Sequence, residues 1–203
     1  LRRNRLARRW SEEPTGTLEG KTLCIVGMGS IGRAIAARAK PFVMRIVGVK
    51  RTVRQDDPAW EHADELLPVG KLRAALSGAD YVALTLPHTP ETERLFDEET
   101  IAAIKPGAYF ANVGRGAVVD EAALVRALRS GRLSGAALDV FETEPLPRES
   151  PLWELENVII SPHSTDNVPR LMEEKLVGLF CENLRRYLAG EELINVLDKR
   201  LLY

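Results

Sequence analysis

Cysteine is nearly absent: Cys24 and Cys181 are the two in 203 residues, so neither a disulfide framework nor a cysteine-built metal centre can organise the chain. Cys24 falls in an apolar strand-like run and Cys181 in a helix-like one. Both read as buried thiols of a reducing compartment, and a cytoplasmic protein without a metal site is expected. Charge of one sign is lacking too. Lys+Arg 28 against Asp+Glu 29 leaves a net charge of -1, so no global field draws in nucleic acid or an anionic membrane. Long hydrophobic runs are missing: the longest, 23–29 and 107–111, fall far short of the roughly 20 residues of a membrane span. The N-terminus shows no charged-then-apolar leader pattern. No internal repeat or low-complexity tract is visible.

What is present is a globular composition, 45% hydrophobic and 28% charged, in a length that fits one large domain or a domain and a half. Short apolar runs predict strands over 22–26, 45–49, 81–84, 108–112, 135–139 and 158–160. They are continuous rather than alternating, as suits parallel strands buried on both faces. Helical patterns lie between them at 31–39, 71–76, 98–104 and 121–129, the last with Asp120 as N-cap and Gly131 at its C-terminal end. The alternation predicts an α/β fold: a doubly wound parallel sheet with flanking helices. The ends differ. Residues 1–10 hold five arginines (Arg2, Arg3, Arg5, Arg8 and Arg9), which read as a solvated or interdomain helix face. Residues 168–189 form a long helix pattern with Leu176, Leu179, Phe180, Leu184 and Tyr187 on its apolar side.

The segment Cys24-Ile25-Val26-Gly27-Met28-Gly29-Ser30-Ile31-Gly32 runs from a strand through G-x-G-x-x-G into a helix. Gly27 permits the tight turn, Gly29 lets the backbone approach a pyrophosphate, and Gly32 lets helix and strand pack closely. The amides of Ser30 and Ile31 then face phosphate from a helix N-terminus. A tight turn without ligand is the alternative. The second strand ends in Lys50-Arg51-Thr52, where an NAD site usually carries an acid for the ribose hydroxyls. Two cations there suit a 2′-phosphate and hence NADP; solvated end-of-strand charges are the other reading.

Three further groups follow strands: Arg115 between Gly114 and Gly116, Asp139 with Glu144 behind it, and His163. Strand ends at the carboxyl edge are where open α/β sheets bind ligands. Arginine suits a carboxylate, whose two oxygens match its planar fork. His163 is the acid/base candidate, a structural histidine being the alternative. His62 reads as surface, and His88 as part of a cofactor rim.

With these motifs in place, the chain resembles the D-isomer-specific 2-hydroxyacid dehydrogenase family, which includes glyoxylate/hydroxypyruvate reductases and phosphoglycerate dehydrogenases. The matching stretches are 26–32, Leu86-Pro87-His88-Thr89-Pro90-Glu91-Thr92, 112–119, 138–147 and Ser161-Pro162-His163, in the family's order. The resemblance implies that Arg115 binds the substrate carboxylate, His163 is the acid/base and Glu144 is its carboxylate partner. It implies that Pro87, Thr92, Val113, Gly114, Arg115, Asp139 and His163 line the NAD or NADP site, Asp139 at the nicotinamide carboxamide. Formate-oxidising relatives replace the glutamate, so Glu144 favours hydroxyacid chemistry. The implied function is hydride transfer between NAD(P)H and a small 2-oxo or 2-hydroxy acid, D-specific, in a homodimer without nucleic-acid or membrane partners. A corepressor-like or sensing module on the same fold is the alternative. The implied layout is a tail of an interdomain helix and linker (1–17), a dinucleotide-binding domain (18–165), and a C-terminal helix and tail (166–203). The family's leading segment, which builds most of the substrate domain, is expected to be missing. The apolar face of the last helix is then expected to stand open for a partner.

Overall fold

A computed structural model describes residues 7–10, 12, 15–164 and 168–199. Seven strands form one all-parallel sheet: β1 Thr22–Val26, β2 Arg45–Lys50, β3 Glu65–Pro68, β4 Tyr81–Leu84, β5 Tyr109–Asn112, β6 Gly135–Leu138 and β7 Val158–Ile160. Their order is β3-β2-β1-β4-β5-β6-β7. The chain winds outward from β1 through β2 to β3, then returns to β4 on the other side, the doubly wound topology expected. β3 is the strand the sequence pattern misses. Leu66 and Leu67 are too short an apolar run between Glu65 and Pro68, and proline is tolerated because this strand lies at the sheet's edge.

Among the described residues five α-helices accompany the sheet: α1 Ser30–Ala39, α2 Leu72–Ser77, α3 Glu98–Ala103, α4 Glu121–Arg129 and α5 Pro169–Ala189. Asp97 caps α3 by accepting the Thr100 N–H, and Asp120 caps α4 by accepting the Ala123 N–H at 2.9 Å. Gly131 follows α4 with φ +73, the left-handed conformation that ends a helix. One face of the sheet packs α2, α3 and α4 over Cys24, Val26, Val82, Leu84, Phe110 and Leu138. The other packs α1 over Leu23, Ile25 and Ile46. On that second face β4–β7 leave an open groove of about 460 Å3, where Tyr81 and Tyr109 stack at 5.5 Å and Tyr109 and Ile159 are exposed.

The register brings the carboxyl ends together. Val26 pairs with Val49 and Leu84, Leu84 with Asn112, Asn112 with Leu138, and Leu138 with Ile160. The loops after β1, β4, β5, β6 and β7 therefore emerge along one edge.

Two thiols expected to be buried differ. Cys24 is buried, and burial pushes its thiol up to about 12. Cys181 is exposed, because α5 lies away from both cores, with Leu176, Phe180, Leu184 and Tyr187 exposed as well. An amphipathic pattern shows which face is apolar, not what covers it. His62, expected at the surface, is half-buried. Of the tail expected over 1–17, residues 1–6, 11, 13 and 14 lie outside the described residues, and the rest are irregular.

Candidate active site

The glycines after β1 divide into two kinds. Gly27 has φ +107, and a Cβ there would lie 2.8 Å from the Thr85 Oγ1. A Cβ on Gly32 would lie 2.2 Å from the Gly27 carbonyl oxygen. Both are required by the protein itself. Gly29 has ordinary backbone angles, and a Cβ there would meet nothing within 4 Å. Helix α1 begins at this open position with no acidic residue in its first turn. The leading amides of a helix have no intrahelical partner, so Ser30 and Ile31 sit at an anion-favouring end. This cradle fits a dinucleotide pyrophosphate. Thr85, not anticipated from the sequence, braces it by donating its hydroxyl to the Gly27 carbonyl. Its only signal was its place directly after β4.

At the end of β2 the two cations part company. The Lys50 ammonium pairs with Asp57, a buried side chain that also accepts the Ala59 N–H at 3.0 Å. Burial alone would raise the Asp57 carboxyl; Lys50, the Ala59 amide and the Arg54 charge outweigh it and hold it below the usual range. Arg51 and Thr52 are exposed. Lys50 and Arg51 line a small cleft of about 90 Å3 with Val26, Val49, Leu86 and Glu91. Thr92 lines it too, but its hydroxyl is committed to its own loop, donating to the Pro87 carbonyl at 2.7 Å and accepting the Thr89 N–H at 2.8 Å. Pro87 and Thr92 thus shape the rim. His88 on the same loop is exposed, 3.9 Å from Glu93.

The loop after β5 is built around buried Asn112, another residue given no role in the sequence reading. Its Oδ1 accepts the Gly114 N–H at 3.0 Å and its Nδ2 donates to the Arg115 carbonyl at 3.1 Å. A Cβ on Gly114 would sit 2.5 Å from the Leu86 carbonyl oxygen, and one on Gly116 1.9 Å from the Phe141 carbonyl carbon. These glycines press the loop between its neighbours and leave Arg115 exposed at the edge, Val113 continuing the ladder to the Leu84 carbonyl at 3.1 Å.

Asp139 and His163 are tied together at the ends of β6 and β7. The Asp139 carbonyl accepts the His163 N–H at 2.8 Å, and its Oδ1 accepts the Ser164 N–H at 3.1 Å. His163 sits in the left-handed region at φ +49. Its Nδ1 is 2.6 Å from Glu144 Oε2, while Glu144 Oε1 accepts the Phe141 N–H at 3.0 Å. Burial would raise the Glu144 carboxyl; His163, the Phe141 amide and the Arg115 charge outweigh it and hold it below the usual range. The Arg115 charge is thus near enough to bear on the Glu144 carboxyl. Beside the pair lies an apolar cavity of about 480 Å3 lined by Phe141, Leu146, Trp153 and Ile160.

A carboxyl depressed in the folded state adds stability above its ordinary value and loses it as pH falls through the folded one. Glu144→Gln is therefore expected to be less stable than the parent at neutral pH, with the gap closing on acidification below the ordinary glutamate value of about 4.3. Thermal melts of both chains across that range check this; a gap that widens in acid contradicts it.

Fold and loops together define a dinucleotide-binding α/β domain with an arginine, a glutamate and a histidine at its ligand edge. The family model described as D-isomer specific 2-hydroxyacid dehydrogenase, NAD binding domain, matches residues 1–165. A glyoxylate reductase of Korarchaeum cryptofilum is 40% identical over 183 residues, 90% of this chain and 54% of that protein. The crystal structure of a D-isomer specific 2-hydroxyacid dehydrogenase from Xanthobacter autotrophicus Py2, in complex with NADPH and MES, superposes with a TM-score of 0.87 at 38% identity, covering 98% of this chain and 79% of that one. An NADPH-dependent glyoxylate/hydroxypyruvate reductase from Sinorhizobium meliloti, in complex with NADP and sulfate, gives 0.86 at 28% identity, covering 100% and 63%. The chain belongs to the D-isomer specific 2-hydroxyacid dehydrogenase family and carries its NAD binding domain. It spans about half the length of the curated glyoxylate reductases it matches.

Proposed function

We propose that this chain is the cofactor-binding and acid/base portion of a D-specific NAD(P)H-dependent reductase of small 2-oxo acids, glyoxylate and hydroxypyruvate among them. The observation that carries the reading is the His163–Glu144 contact of 2.6 Å, set on the same sheet edge as Arg115 and the glycine cradle. When bound, the nicotinamide supplies or accepts the hydride. The chain's own residues supply position and charge. Arg115 bonds the substrate carboxylate with its fork and so orients the carbonyl. His163 delivers a proton to the developing alkoxide from Nε2, while Glu144, 2.6 Å from Nδ1, holds the ring in place. Asp139 would help hold the nicotinamide at its carboxamide.

Relatives are named as reductases and dehydrogenases, which favours an enzyme over a partner-binding module. No helix of the described residues is long and apolar enough to cross a membrane. The reading includes a cytoplasmic location and a homodimer, the homodimer supported by the open faces of α5 and of β4–β7 and checked by light scattering. The test of function is oxidation of NADPH or NADH on adding glyoxylate or hydroxypyruvate. No turnover with either acid, in a full-length preparation shown to bind cofactor, overturns it.

The reading also includes a preference for NADP(H). Lys50 contributes by holding the 51–57 loop through Asp57, and Arg51 by direct charge. A charge-assisted bond to a 2′-phosphate contributes roughly 1.5–3 kcal/mol, enough for about a tenfold preference. Arg51→Asp is expected to shift the ratio of dissociation constants toward NAD(H). A parent that already binds NAD(H) more tightly ends the idea.

A further inference from the structure

The loop carrying Glu144 is held from outside the site. Two residues before Glu144, the Glu142 Oε1 accepts the Glu121 N–H at 3.4 Å, and the Glu121 Oε2 accepts the Glu142 N–H at 3.3 Å. Each carboxylate caps the other's backbone, joining the first turn of α4 to the loop after β6. Arg94 closes the arrangement. Its Nη2 lies 2.6 Å from Oδ2 of Asp120, the cap of α4, and its Nη1 lies 3.6 Å from Glu142 Oε1. Arg94 is itself fixed, at φ +49, with its N–H donating to the Ala117 carbonyl at 2.8 Å. Phe96 N–H donates to Val118 and Asp120 N–H to Phe96, so the chain beyond Thr92 lies along the chain beyond Arg115.

Two carboxylates face each other here. Burial pushes the Glu121 carboxyl up, the Glu142 amide opposes this, and the Glu142 charge adds to it. A like-charge contact is unfavourable by itself. What it provides is a crosslink between the Arg115 loop, α4 and the loop of Glu144, beneath which Gly116 presses on Phe141.

We propose that Arg94, Glu121 and Glu142 are positioning residues, a clamp that fixes the loop over 139–144 so that Glu144 stays bonded to His163 and facing Arg115. This rests on the reading of Glu144 and His163 as the working pair. The charges facing Glu144 are His163 and Arg115; those facing the clamp are Glu93 beside Arg94, and Arg126 and Asp97 beside Asp120.

The test is Glu142→Ala in the 203-residue chain, with the Glu144 carboxyl titrated by carbon NMR and the hydrogen-bonded His163 Nδ1 proton followed at low field. Through-space electrostatics and positioning predict opposite signs. Removing an anion eases ionisation of Glu144 and moves its titration to lower pH. Losing the clamp loosens the bonds from His163 and Phe141 and moves it to higher pH, toward the ordinary glutamate range. The expected result is the upward move, with the low-field proton lost. Arg94→Lys carries the test should Glu142→Ala unfold. Arg94 is exposed, and lysine keeps the charge but not the fork that spans Asp120 and Glu142. Electrostatics alone predicts no change for it; the clamp predicts a partial upward move. In an active preparation kcat falls about tenfold with cofactor affinity kept, less than the roughly 10²-fold of a 1 Å misplacement. A Glu144 titration that stays or moves down, with the His163 proton intact, overturns the clamp. Neither NMR reading needs turnover, so the clamp stands or falls separately from the activity.

Discussion

Replacing His163 with alanine is expected to lower turnover by about 10²–10⁴-fold, the usual contribution of a positioned acid/base group, while cofactor affinity changes little. The backbone explains why the two effects separate. His163 is held at φ +49 by its own N–H to the Asp139 carbonyl and by the Ser164 N–H to Asp139 Oδ1. Both bonds survive truncation of the side chain, so the β7 end and its Asp139 neighbour stay in place. What is lost is the imidazole and the proton it delivers. The glutamate is left with the Phe141 amide and the Arg115 charge as counterparts. His163→Asn is the conformational control, because asparagine tolerates the left-handed region and leaves the proton unsupplied. Steady-state rates and cofactor titrations of parent and both variants check the expectation. Parental turnover in His163→Ala would remove the ring from the chemistry and leave it a structural partner of Glu144.

How far the sequence carried the structure depended on whether a feature was local. The glycine loop was legible because strand, turn and helix signals sit within eleven residues of each other, from 22 to 32. Arg115, Glu144 and His163 were legible as groups following strands, since a parallel sheet sends all such loops to one edge. Their contacts were not. Nothing in the chain's order shows that Glu142 meets Glu121, or that Asn112 folds back on Gly114 and Arg115. The partner of Lys50 was close in sequence yet equally hidden. Asp57 reaches it because the chain at 58–61 turns as a short 3-10 helix capped by Asp57 itself. β3 went unseen because its order comes from pairing with β2, not from its own two leucines. Cys181 was misplaced because burial is decided by a neighbouring surface, which a helical pattern cannot supply.

Gly29→Val and Gly32→Ala are expected to fail in opposite ways, and the contrast tests the cofactor cradle. A side chain at Gly29 enters open space at φ -77, so the fold has no reason to move. It occupies the volume a pyrophosphate needs to reach the first amides of α1. Charge-assisted bonds contribute roughly 1.5–3 kcal/mol each, so losing one or two weakens dinucleotide binding by about tenfold to 10⁴-fold. Melting temperature is expected to stay near the parent's. Gly32→Ala puts its methyl 2.2 Å from the Gly27 carbonyl oxygen and 3.2 Å from Ile25 Cγ2. Neither neighbour can yield: one is backbone in a turn already at φ +107, the other a fully buried strand residue. Helix α1 must lift from β1, and overpacking of this kind costs about 1–3 kcal/mol, a drop of roughly 2–12 °C for a chain of this size. Binding weakens there too, but as a consequence of the displaced helix. Calorimetric titration with NADPH and thermal melts of the three chains separate the two routes. If Gly29→Val binds as tightly as the parent, no pyrophosphate lies against that loop; if it melts as early as Gly32→Ala, the open space in front of Gly29 belongs to the protein and not to a ligand.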